Sequence, residues 1–282
     1  MKKWMTNILL VVFIIIFVVS LWFLLDYYLE SRKQKSTYDE LSHLVEQNRP
    51  PETTPQQNTD PTTGEMEETV APTEPPSPWV EIEHPVTGET MEILREYAPL
   101  FQMNPDLVGW IKIDDTVVNY PVMHAPDRPD YYLTRDFYKE SSNHGCIYIE
   151  EACDVNTPSD NVTIYGHRMR DGSMFAALHG YLKEDFFKEH PTITFDTLTE
   201  HHTYEILSVF TTTASVGQGF VYHTFIDAAD EAAFQKFVSD CKRLSIYDTG
   251  VDADYGDKLI TLSTCEYTHV NGRLVVVAKR VD

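Results

Sequence analysis

Residues 257–281 read DKLITLSTCEYTHVNGRLVVVAKRV and hold the densest chemistry in the chain. Two β-prone runs, 258–264 and 273–281, flank a loop that ends in Asn271-Gly272, a turn-prone dipeptide. If the runs pair antiparallel, Cys265 and Arg273 meet at one rim of a sheet. Period-two alternation puts Leu259, Thr261, Ser263 and Cys265 on one face. A thiol facing a guanidinium is a nucleophile beside a fixed cation, which favours thiolate and can hydrogen-bond a developing oxyanion. Taken alone, Cys265 would read as a small buried apolar residue, as most free cysteines are.

A second run, NVTIYGHRMRDGSMF at 161–175, ends a strand pattern (162–165) in Gly166-His167. Gly166 permits close backbone approach, and His167 would project from the strand end. Histidine suits proton transfer near neutral pH. The chain has 11 histidines, so only its position distinguishes His167 from a surface or capping residue.

The elements that must hold these groups are short. Strand patterns cover 107–113, 117–123, 146–149, 162–165, 193–195, 203–210, 258–264 and 273–281. Helical patterns cover 93–103 (interrupted by Pro99), 174–182, 182–189 and 229–244. Many short strands with few helices predict a mainly β fold, a barrel or a sandwich carrying peripheral helices.

The amino-terminal part is organised differently. Residues 8–25 carry no charge and rise ~27 Å as a helix, close to a bilayer core. Trp22, Tyr27 and Tyr28 sit where an interfacial belt would lie. The run is longer than the ~7–15 residues of a signal-peptide core and lacks a small-x-small cleavage site. An anchor is therefore the reading taken, over a cleaved leader. Lys2 and Lys3 precede the span, whereas Arg32, Lys33 and Lys35 follow it, so charge alone does not orient it. The short head favours the body outside. Residues 31–47 have helical spacing and predict a stalk. Eight of the 16 prolines fall between 50 and 78, which predicts a flexible, partly extended spacer. The expected division is an anchor at 1–30, a stalk and linker at 31–78, and a catalytic domain at 79–282.

The net charge of −22 excludes a general nucleic-acid binder. An acidic body on a tether suggests a domain held off a membrane rather than lying on anionic lipid. No HExxH and no paired CxxC occurs, so no metal and no cofactor is expected. Disulfide pairing among Cys146, Cys153 and Cys241 is not readable from spacing.

TLSTC (261–265), an arginine opening a VVVAKR strand (273–280) and YGH (165–167), in the order His, Cys, Arg, together resemble the sortases, class B among them. The resemblance runs from about Asn104 (NPDLVGWIKI, NYPVM, YYLTRDF, GCIYIE) to Val281, and the long stretch 203–258 with its helix resembles an insertion typical of class B. It implies an eight-stranded β-barrel and a membrane-tethered cysteine transpeptidase of the Gram-positive cell surface. It implies that Cys265 forms a thioester with a C-terminal sorting signal cut after threonine, of an Asn-Pro or Ser-Pro type. His167 would act as acid and then base, Arg273 on the oxyanion, and the acceptor would be a peptidoglycan amine. A thiolate working with an imidazolium predicts a bell-shaped pH profile. The same pattern marks Ser263, Glu266, Phe220 and Val221 as substrate-binding residues. Against these stand a satisfied strand hydroxyl, a solvated carboxylate and core packing. Two other functions fit the same residues: an endopeptidase in which water takes the thioester, and a tethered module that binds without catalysis.

Overall fold

The computed structural model describes residues 2–51, 76–215, 217–268 and 271–282. Its first element, α1 (Lys2–Asn48), is one uninterrupted helix. No proline or glycine occurs between residues 2 and 48, so nothing breaks it before Pro50, which disfavours helix at the residue ahead of it. The expected anchor and the expected stalk are thus parts of a single helix.

After the segment that lies outside the described residues come β1 (Trp79–Glu83) and β2 (Thr90–Leu94), an antiparallel hairpin apart from the main sheet. A 3₁₀ turn at Arg95–Tyr97 leads into α2 (Ala98–Met103). The helix expected across 93–103 is therefore shorter, and Pro99 opens it instead of interrupting it. There follow β3 (Leu107–Lys112), β4 (Asn119–Met123), β5 (Ile147–Ile149), β6 (Asn161–Tyr165), α3 (Glu184–Glu189), β7 (Thr192–Thr197), β8 (Thr203–Thr213), α4 (Glu231–Leu244), β9 (Leu259–Glu266) and β10 (Gly272–Arg280). The pattern at 174–182 is realised as a 3₁₀ helix, Phe175–Leu182.

Strands β3 to β10 close into a barrel in the order β10-β8-β7-β3-β4-β5-β6-β9. Closure runs through β9, which pairs antiparallel with β10 and parallel with β6. Closing the sheet removes its edges. Ile260, Leu262, Leu274 and Val276 face the barrel core with Val162 and Ile164. The opposite faces of the same strands bury Leu259, Val275 and Val277 beneath α4, against Phe234, Phe237 and Val238. Burial on both faces is why VVVA reads as a continuous apolar run and not an alternating one. Asp230 caps α4 by accepting from the Ala233 amide, 2.8 Å away.

The second half of α1 packs on the barrel. Tyr38, Leu41 and Val45 are buried in its core cluster, each such side chain contributing ~1.5–3 kcal/mol of apolar burial. The Tyr38 hydroxyl donates to the Gly145 carbonyl at 2.9 Å, and Asn119 Nδ2 donates to Ser42 at 2.8 Å. This differs from the expectation of a body held off by its spacer. The chain touches the barrel before the proline-rich stretch begins, because Tyr38, Leu41 and Val45 form an apolar stripe that only the barrel covers. The spacer expectation itself falls mostly on 52–75, outside the described residues. The two flanks of that stretch converge. Arg49 pairs with Glu96 at 3.5 Å, while the Arg95 amide and Nε donate to the carbonyls of Pro78 and Ser77.

Candidate active site

Three adjacent strands, β6, β9 and β10, end at one rim. Cys265 and Arg273 are direct register partners across β9 and β10. On the other side of β9, Tyr165 pairs with Ser263, and the Gly166 amide donates to the Ser263 carbonyl at 3.2 Å. His167 follows two residues past the end of β6, on the side of β9 opposite to β10. Gly166 is required there: a Cβ would come within 2.5 Å of Ile147 and 2.6 Å of Phe175. Alternation puts Ser263, Cys265, Arg273 and Tyr165 on the outer face of the barrel, the face that carries α4 farther along.

The four thiols differ in environment. Cys146, Cys153 and Cys241 are buried, and Cys265 is half-exposed. Burial pushes Cys146 and Cys153 up to about 12 and raises Cys241 as well, which makes them inert as nucleophiles at neutral pH. No thiol is in a disulfide. Cys265 is thus the thiol that a substrate can reach.

Arg273 Nη1 donates to the Gly272 carbonyl at 3.0 Å and reaches that of Asn271 at 3.4 Å. These bonds tie the guanidinium to its own hairpin. Nε and Nη2 have no acceptor among the described residues and remain available as donors. Asn271 adopts φ 53°, and a Cβ on Gly272 would lie 2.3 Å from the Glu266 carbonyl, so the Asn-Gly dipeptide is what lets this hairpin close. The His167 Nε2 lies 2.7 Å from the Leu133 carbonyl. That contact assigns the proton to Nε2 and fixes the ring plane.

Two further residues belong to this rim and carry no local sequence signal. The Tyr222 hydroxyl lies 2.6 Å from Ser263 Oγ. Burial pushes the Tyr222 phenol up, the Ser263 bond and the nearby Arg273 charge oppose that, and Cys265 adds to it. Tyr222 is therefore tied to Ser263 on the Cys265 face of β9. Asn161 holds its segment in place, donating to the Phe225 carbonyl at 2.8 Å while accepting from Thr261. His179, on the 3₁₀ helix, has Nε2 3.2 Å from the Cys265 carbonyl. Burial lowers its pKa, and the Cys265 bond opposes that, so the neutral ring donates and steadies the end of β9.

The expected substrate-binding residues separate. Ser263 is buried on the Cys265 face and bonded to Tyr222. Glu266 lies on the other face, buried, and accepts the Thr268 amide at 3.0 Å. Burial would raise its pKa, but the Thr268 hydrogen bonds outweigh it and the carboxyl is lowered. It caps its own hairpin and is not the solvated carboxylate weighed from sequence. Phe220 packs against Phe210 and Phe237, each ring centroid 5.8 Å away, so its place is in the outer apolar layer. Val221 is half-exposed beside it. Among the described residues no cluster of three or more His, Cys, Asp or Glu side chains could hold a metal ion.

The family model for the sortase domain matches residues 111–281. Sortase B of Listeria monocytogenes is 34% identical over 198 residues, covering 70% of this chain and 77% of that protein. The chain belongs to the class B sortases. Solved structures agree with the placement. Sortase B of Bacillus anthracis superposes with a TM-score of 0.67 at 31% identity, covering 90% of this sortase and 99% of the other chain. The Staphylococcus aureus sortase B–substrate complex gives 0.62 at 32% identity, over 67% and 86% of the two chains. This sortase is accordingly a cysteine transpeptidase on a closed eight-stranded barrel.

Proposed function

We propose that this sortase cleaves a C-terminal sorting signal of surface proteins after threonine and transfers the protein to a peptidoglycan amine. Cys265 Sγ attacks the threonine carbonyl, and the carbon–nitrogen bond breaks to leave a thioester. His167 gives its proton to the departing amine and takes one from the incoming amine. Arg273 meets the tetrahedral oxyanion through the donors its hairpin leaves free. Ser263 and Tyr222, a buried hydroxyl pair, underlie the route of the signal peptide and shape it, with Val221 at its margin; Glu266 and Phe220 support that wall from behind. The relative from Staphylococcus aureus was solved as a substrate complex, which supports substrate binding by this fold.

Residues 1–30 anchor the enzyme, 31–78 form stalk and linker, and 79–282 carry the chemistry. The apolar part of α1, exposed throughout, crosses the cell membrane of a Gram-positive organism once and leaves the barrel outside. The partners are proteins bearing sorting signals, the wall amine and the bilayer.

One observation carries this reading: the half-exposed thiol is in register with Arg273, and the neighbouring strand β6 ends at the same rim two residues before His167. The test is mass spectrometry of a sorting-peptide library incubated with the enzyme, with and without a glycine-type or diamino-acid acceptor. Cleavage after threonine and an acceptor-linked product are expected. Hydrolysed peptide alone in every case would establish an endopeptidase instead. Peptide retention with no thioester would establish a binding module.

A further inference from the structure

Arg168 and Arg170 follow His167 directly, and neither guanidinium is in an ion pair among the described residues. Arg168 lies over the ring of Tyr267, 5.1 Å from its centroid, and Tyr267 is 69% exposed. With Met169 and Ala176 these side chains line an open hollow of about 500 Å³. It has two cations at its rim and apolar walls between them, next to the strand ends that carry His167 and Cys265.

The position of this hollow relative to α1 follows from contacts. An isolated bridge between Arg168 and Met174 closes the 168–174 loop. Its one acidic side chain, Asp171, is taken up by Ser31 of α1, by His144 at 3.0 Å and by Ser173 at 2.6 Å. Tyr27 stacks on His144 with centroids 6.3 Å apart and lies within electrostatic reach of Arg170. Glu30 accepts from the Asn143 amide and side chain at 2.6 and 2.8 Å. The barrel therefore meets α1 as early as Tyr27 and Glu30.

The uncharged stretch ends at Leu25. Tyr27 is ~3 Å and Glu30 ~7 Å farther along the helix axis. The headgroup layer on each side of a bilayer is itself ~5–7 Å deep, and any tilt of α1 brings these residues nearer. A helix without a break leaves no swivel that would lift the barrel away.

We propose that the hollow formed by Arg168, Arg170, Met169 and Tyr267 docks on the phosphates of anionic lipid headgroups in the membrane that α1 spans. The inference rests on the membrane-anchored reading of α1. It adds that the reacting rim faces the bilayer: His167 is three residues from Arg170, at most ~11 Å of chain. Substrate and acceptor then reach the thiol along the membrane plane. Part of the acidic excess that argued against lipid contact lies in 252–257, beyond the opposite end of β9, and the Asp171 and Glu30 carboxylates on this side are taken up by Ser31, His144, Ser173 and Asn143.

The experiment uses the full chain in lipid nanodiscs, with a photo-crosslinking amino acid at Met169 or, as control, at exposed Asp254. Insertion of α1 is measured separately by protease protection of the amino-terminal head. In discs with about one third phosphatidylglycerol, lipid adducts at Met169 should exceed those at Asp254 about tenfold. Arg170→Glu, or discs of phosphatidylcholine alone, should lower them about fivefold or more, the factor expected of one basic residue near an anionic leaflet. Inserted protein with adducts at the Asp254 level, or adducts indifferent to both changes, overturns the docking while leaving the anchor intact. Failure of insertion overturns the anchor and the docking together.

Discussion

Tyr222 and Ser263 stand 41 positions apart in the chain, and their hydroxyl oxygens are 2.6 Å apart. Both side chains are buried, so each hydroxyl depends on the other. Tyr222→Phe or Ser263→Ala should each cost about 1–3 kcal/mol by leaving a buried partner unsatisfied. The double variant should be much less destabilised than the sum of the two, because both partners are then gone. Denaturant unfolding of the four proteins decides it, and additive losses would mean that the pair is not coupled.

Cys265→Ala should abolish thioester formation and turnover, leaving thermal unfolding within about 0.5 kcal/mol of the parent, as expected of a half-exposed side chain. Intact-mass analysis after incubation with a sorting peptide reads the first effect. A surviving acyl adduct would move the nucleophile to another residue, although the other three thiols are buried.

Arg273→Lys should lower kcat/KM by about tenfold or more, since an ammonium cannot reproduce a planar fork that holds two hairpin carbonyls and, on the proposed reading, an oxyanion as well. The steady-state rate with one fixed peptide is the measurement. A rate near that of the parent would remove the bidentate role and leave a point charge.

His201 offers a pH test of stability at the end of the molecule where α1 stops. Its Nδ1 lies 2.9 Å from Asp196 and its Nε2 3.4 Å from Glu96, which also pairs with Arg49. The Asp196 hydrogen bond raises the imidazole above its ordinary value; burial and Arg49 oppose it, and the charges of Asp196 and Glu96 add to it. A raised folded value means that the stabilisation is complete below ~6.5, the unfolded value, and fades as pH rises through the folded one. The melting-temperature gap between parent and His201→Gln should therefore be widest in mild acid and close in mild alkali. A gap that widens with pH contradicts the assignment.

The strands were legible where period-two alternation or a doubly buried apolar run marks them. The strand expected at 107–113 is Leu107–Lys112, and the two carboxyl-terminal runs form the hairpin in which Cys265 faces Arg273. The β1–β2 hairpin was not read, because Trp79–Glu83 is only half-covered and its alternation is short. Residues 174–182 have helical apolar spacing but form a 3₁₀ turn, where Met174 sits at φ 56° to let the chain return from the His167 loop. Within the site, the expectation for His167 rests on its place just past a strand end. Tyr222 and His179 carry no such local mark, since each reaches Ser263 or Cys265 only through tertiary contact. Tyr222 lies two residues after Phe220, and nothing in the local spacing separates the two aromatics.

The meeting of both flanks of the proline-rich stretch at Arg95-Glu96 has a consequence for how this sortase can vary. With Arg49 on one flank and Ser77-Pro78 on the other both held at Arg95-Glu96, the length of any detour between them does not set the reach of the barrel. Doubling such a detour costs only about 0.6 kcal/mol of closure entropy. Relatives are thus free to lengthen, shorten or rewrite it while the thiol stays at the same height.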